Sequence, residues 1–88
     1  MKKTLLQVGD KVRIREDIRE NVYYKMKTYD YSNCYIYGKM AEPGSLVTIQ
    51  LSNMGYRIEE EGFFTYTDEM FDPELIEFLY KEYLENNK

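Results

Sequence analysis

The chain has 88 residues, a formal net charge of −4, no histidine and a single cysteine, Cys34. That length is one small domain with a narrow margin of stability, and the missing imidazole excludes a Ser- or Cys-His relay and the commonest metal ligand. One thiol forms no internal disulfide and no thiolate zinc site, so Cys34 reads as a small buried hydrophobe in a reducing compartment.

The hydrophobic content of 43% is that of a folded protein. Ten tyrosines and no tryptophan favour half-buried surfaces, because Tyr is apolar in its body and polar at its tip. The charge is unevenly spread. Residues 1–44 carry nine basic and six acidic side chains, or +3, whereas residues 45–88 carry three basic and ten acidic, or −7. An acidic protein of this kind is not expected to grip phosphate backbones and suits a basic protein surface.

The stretch Met1 to Asp10 begins like a signal peptide, but its apolar run breaks at Gln7 and stops at Gly9-Asp10. No segment approaches the roughly 20 apolar residues that span a bilayer. Lys11 to Arg15 alternates Val12 and Ile14 with three cations, the pattern of a strand with a solvated basic face. From Glu16 to Gly44 the pattern is irregular. Six tyrosines between Tyr23 and Tyr37 are interleaved with Lys25, Lys27 and Lys39. Val22-Tyr23-Tyr24 and Tyr35-Ile36-Tyr37 are short extended pieces within a region expected to hug the body of the protein. Aromatic rings among lysines can also stack on single-stranded bases, so a nucleic-acid reading of this loop is kept as the alternative.

Pro43-Gly44 is a turn pair. After it, Val47, Ile49 and Leu51 alternate with Leu46, Thr48 and Gln50, predicting a strand. A turn through Gly55, a strand with Tyr56 and Ile58 inward, a turn at Glu60-Glu61-Gly62 and a strand Phe63–Tyr66 with Phe64 and Tyr66 on one face complete a meander. The tail predicts a helix over 73–86. Asp72 caps it, Pro73 suits its first position, and Leu75, Ile76, Leu79, Tyr80, Tyr83 and Leu84 form an apolar half that lids the sheet. Phe78 falls outside that half, and Glu77 and Lys81 are spaced as an i,i+4 pair.

The blocks Val8-Gly9-Asp10-Lys11-Val12-Arg13, Gly44-Ser45-Leu46-Val47-Thr48-Ile49, Gly55-Tyr56-Arg57-Ile58-Glu59-Glu60 and Tyr66-Thr67-Asp68-Glu69-Met70-Phe71 together resemble a family. It comprises short phage, prophage and mobile-element proteins of Gram-positive bacteria with SH3-like barrels of the Mib/Herc2 type. Tyr66 stands where that pattern usually has Trp, and the helix from Pro73 is an addition. The resemblance implies a mainly β fold, a small SH3-like antiparallel barrel of about five strands with a C-terminal α-helix, as one domain with its barrel core at 8–71. It also implies a mobile-element context, where proteins of this size often inhibit host defence nucleases.

The glycines make no phosphate loop, the serines no nucleophile elbow, and the acidic clusters lack the alternating spacing of an EF-hand. No catalytic residue, metal or cofactor is therefore expected. The expectation is a non-enzymatic protein-binding module of the bacterial cytoplasm, monomeric or weakly dimeric and without a membrane partner. It would present Glu59, Glu60, Glu61, Asp68 and Glu69, with Tyr35 and Tyr37 as aromatic anchors, to a host protein with a basic surface. An anti-CRISPR-like inhibitor occupying a nucleic-acid groove is the concrete form of that expectation.

Overall fold

The computed structural model describes residues 4–28, 34–36, 42–52 and 55–86, without the side chains at 34–36, 51–52 and 61–63. Six short strands, one 3-10 turn and one helix follow in order: β1 (Lys11–Arg13), β2 (Tyr23–Lys25), β3 (Cys34–Ile36), β4 (Leu46–Ser52), β5 (Tyr56–Ile58), β6 (Glu61–Tyr66), the turn Asp68–Met70 and α1 (Pro73–Asn86). This is the mainly β architecture with a C-terminal helix that the periodicities predict. It has four strands in one antiparallel sheet, ordered β1-β4-β5-β6, and two more, β2 and β3, in a separate hairpin.

Closure of the sheet rests on the segment after β6. Ile14 bridges Phe71, Arg15 N–H donates to the Met70 carbonyl at 3.0 Å, and Asp72 N–H donates to the Arg13 carbonyl at 2.9 Å. The chain beyond β6 thus returns to the end of β1 at the opposite edge of the sheet and gives a small barrel-like body. Gly9, in the turn before β1, and Gly44, in the turn before β4, lie at φ +95° and +80°, where a Cβ would be strained.

The inward residues of the alternating strands meet as predicted. Val12, Ile14, Val47, Ile49, Tyr56, Ile58 and Tyr66 are all buried. Phe71 completes the aromatic centre, stacked on Tyr66 and edge-on to Tyr56, each at 5.9 Å between centroids. Leu5 and Leu6, in the run that resembles a leader, are core residues, and the Leu6 N–H donates to the Tyr56 hydroxyl at 3.2 Å.

Three details differ from the expectation. The β5–β6 turn falls on Glu59-Glu60, because Ile58 pairs with Glu61, so the connection is two residues long and one residue earlier than read. Phe64 is exposed and Tyr66 fully buried, so they do not share one buried face; the β5–β6 ladder shifts register between Tyr56 and Ile58, which breaks simple alternation along β6. On the helix only Ile76 is fully buried; Leu75, Leu79, Tyr80 and Tyr83 pack part-way against the core, and Leu84 is exposed. The helix start is as read: Glu74 N–H donates to Asp72 Oδ1 at 3.1 Å, the side-chain cap that leaves Pro73 with no donor to satisfy.

Candidate functional site

The acidic residues after β6 follow from the local geometry of the turn. Tyr66, Met70 and Phe71 are all anchored in the core, so the chain between them tightens into one 3-10 turn. That places Asp68 under the surface, with no exposure at all, and Glu69 half-buried. Their carboxylates face the second hairpin. Glu69 Oε1 accepts the Lys25 N–H at 3.1 Å and Asp68 Oδ2 accepts the Lys27 N–H at 3.2 Å. Lys25 ends β2 and Lys27 lies in the turn that follows it, and both backbone N–H groups are directed to these carboxylates. The two carboxylates therefore stand where a neighbouring strand would supply carbonyls. This corrects the expectation for Asp68, which is an internal fastener and not an outward contact; Glu69 is half-buried and ties the Lys25 N–H from the surface.

Asp68 is also incompletely satisfied. Among the described residues, its Oδ1 and the Thr67 Oγ1 are buried without a hydrogen-bond partner. Burial pushes the Asp68 carboxyl up to about 6, and the adjacent Glu69 charge adds to the rise; the Lys27 N–H and the Tyr56 hydroxyl work the other way. Burial, then the Asp68 charge, likewise pushes the Tyr56 phenol upward.

The Glu59-Glu60-Glu61 cluster divides. Glu59 and Glu60 are both exposed. Glu60 turns back on β4, where Oε1 accepts the Thr48 N–H at 2.9 Å and Oε2 the Thr48 hydroxyl at 3.1 Å. Those bonds hold its carboxyl below the ordinary range. Lys11 Nζ donates to the same hydroxyl at 3.1 Å, so Glu60 is the end of a small network centred on Thr48 of β4. The Glu61 and Tyr35 side chains and all of Tyr37 lie outside the described residues, although the Tyr35 backbone pairs with Tyr24 in the hairpin. Lys39 lies outside them too, as does the Cys34 side chain.

Of the loop cations, Lys27 is engaged by its side chain. Lys27 Nζ sits 3.3 Å from Glu77 and 4.9 Å from the centre of the Tyr80 ring, tying the hairpin to α1. Glu77 thus pairs across to the hairpin, where sequence spacing suggests Lys81. Arg15 holds Asp17 with both Nε and Nη2, at 2.7 and 3.1 Å, and donates to the Glu69 carbonyl at 3.0 Å. That pairing raises Arg15 and lowers the exposed Asp17. A cleft of ≈ 290 Å³ lies between hairpin and helix, lined by Tyr23, Tyr24, Phe71 and Ile76 with Arg15 and Lys27. A second, of ≈ 330 Å³, is lined by Arg13, Glu16, Asp17, Asp72 and Glu74, and shares Arg15 and Pro73 with the first.

Outward acidity is found on the far face of α1. Glu74, Lys81, Glu82 and Glu85 are exposed there, and Phe78 is 57% exposed among them. At about 100° per residue, Glu74, Glu82 and Glu85 all fall within about 40° of Phe78. An apolar ring inside a charged rim is the arrangement of a contact patch, with a large anchor at the centre and polar groups around it. Spacing alone exposes this face, and the charge totals locate it in the acidic half of the chain.

Among the described residues no group of three or more metal-binding side chains occurs, and no helix is long and apolar enough to cross a membrane. Comparison with protein-family models, with curated proteins and with solved structures finds no match.

Proposed function

We propose that this protein is a non-enzymatic binding module that offers the outer face of α1 to a basic surface of a partner protein. The observation that carries the reading is Phe78, exposed on a helix whose opposite face is spent on the core and ringed by Glu74, Glu82 and Glu85. The resemblance to small phage and mobile-element proteins supports a host protein as the partner, and a nucleic-acid groove of a defence nuclease is the basic surface best suited to such a patch. Glu59 is a second outward carboxylate. Glu60, Asp68 and Glu69 are assigned to the fold.

The nucleic-acid alternative, which rests on the Tyr/Lys-rich loop 22–39, draws less support, because Lys27 in that loop is paired with Glu77. It predicts a low-salt gel shift with single-stranded oligonucleotides that weakens steeply as salt rises.

The test is capture from Gram-positive host lysate with mass-spectrometric identification, repeated with Phe78→Ala, with Glu74, Glu82 and Glu85 changed together to Lys, and with Glu59→Lys. Loss of the captured protein with both helix variants, at unchanged circular dichroism, is the expected result. Loss with Glu59→Lys alone moves the contact to the β5–β6 turn. Capture that survives every variant overturns the acidic mechanism.

A further inference from the structure

The second hairpin is attached to the barrel in an unusual way. Among the described residues, β2 and β3 share no backbone ladder with the four-stranded sheet. Two backbone N–H groups of the hairpin arm end on carboxylates, Lys25 on Glu69 and Lys27 on Asp68. Tyr24 and Met26, between and beside those donors, insert into the core, so the arm is a working part of the fold. Of the two carboxylates, Asp68 is completely buried; the Lys27 N–H donates to Oδ2, and its own N–H and the Tyr56 hydroxyl also favour its charge, yet its Oδ1 has no hydrogen-bond partner. A carboxylate that stays charged in such a place needs more donors than that.

We propose that the β2–β3 hairpin is a proton-sensitive flap, held closed on the barrel while Asp68 carries its proton and loosened when Asp68 ionises. The groups that face Asp68 set the direction. From β5 comes the Tyr56 hydroxyl, which favours the charged form; from the hairpin, the Lys27 N–H does the same. On its own turn Glu69 opposes the charge, and burial opposes it most. On α1 the nearest charged group tied to this arm is Glu77, neutralised by Lys27 Nζ. Opening the flap returns Asp68 to water, where its charge costs nothing. Closure therefore carries its full advantage below about pH 4, the range of a free carboxyl, and loses it as pH rises through the value of about 6 that Asp68 has when buried.

Hydrogen exchange of the full chain, followed residue by residue by NMR and corrected for the intrinsic pH dependence of exchange, reads this directly. The protection factor of the Lys27 amide should fall about tenfold between pH 5 and pH 7.5, the ratio that these two ionisation midpoints give. At pH 7.5 it should lie well below that of Ile49, whose N–H donates to the Asp10 carbonyl inside the barrel. In Asp68→Asn, which keeps an acceptor oxygen and has no charge to gain, Lys27 protection should be flat over the same range. Wild-type protein supplies a second reading that needs no variant: the Asp68 carboxyl carbon shift and Lys27 protection should change with one common midpoint. Equal protection of Lys27 and Ile49 at pH 7.5 overturns the flap, since the hairpin then leaves only when the whole protein unfolds. Lys27 protection that ignores pH overturns the role of Asp68, as does a fall that persists in Asp68→Asn.

Discussion

Two acidic stretches lie a few residues apart and meet opposite fates. Thr67-Asp68-Glu69-Met70 folds into a 3-10 turn whose carboxylates point inward and stand in for a missing strand. Glu74 to Glu85 rides on a helix whose period turns its acids to water. The difference lies in the anchors. Tyr66 and Phe71 stack in the core and leave the turn between them no freedom to face outward, whereas α1 has one buried residue, Ile76, and about four turns over which to separate its faces. Charge count alone does not distinguish a contact surface from a fastener; the position of the nearest buried aromatic does.

The sharpest way to break this contrast is to remove the anchor. Phe71→Ala takes away a fully buried ring that touches Tyr56 and Tyr66 and sits where the barrel closes on Ile14. We expect a loss of about 3–5 kcal/mol in urea unfolding, a large part of the roughly 5–15 kcal/mol that holds a domain together.

Asp68→Asn should act in the opposite direction. Burial raises the folded-state pKa of Asp68, so its neutral form is the one the fold prefers; stability is complete below about pH 4 and falls as pH rises through about 6. Removing the charge should stabilise the protein by about 1–3 kcal/mol at pH 7.5, with the gain shrinking below about 1 kcal/mol at pH 4. Urea unfolding at the two pH values checks it, and a variant destabilised at pH 7.5 contradicts the buried-charge account.

The paired variants Glu60→Ala and Glu59→Ala test the same distinction one turn earlier. The first leaves the Thr48 N–H, on a residue 8% exposed, without its acceptor and should cost about 1 kcal/mol. The second should stay within about 0.5 kcal/mol. Smallest of all, Phe78→Ala should leave the thermal midpoint nearly unchanged, within about 0.5 kcal/mol, while removing the proposed contact. A large loss of stability there would place Phe78 in the fold and remove it from the interface.

Much of the architecture was legible from local pattern. The alternation at Val47, Ile49, Tyr56 and Ile58 specified which residues enter the core, and Asp72-Pro73-Glu74 marked the helix start. Those signals act over two to four residues. Information that needs distant partners was not legible. Asp68 and Glu69 look like any acidic turn until the N–H groups of Lys27 and Lys25, 41 and 44 residues earlier, are brought against them. Glu60 likewise reads as a solvated turn until Thr48 arrives beside it. Met26 carries no periodic signal in its irregular loop, yet it is fully buried because the hairpin delivers it to the barrel. Phe78 was separable from the apolar half by angle alone, which is why the helix face was the part of the candidate site within reach of the sequence.

The division between inward and outward acids is tested most directly at one atom. A carboxyl-carbon NMR titration of Asp68 in the folded wild-type protein should give a midpoint of about 6. A midpoint in the ordinary range near about 4 would show that its carboxyl is solvated, and the turn after β6 would then join the helix as part of the outward acidic surface.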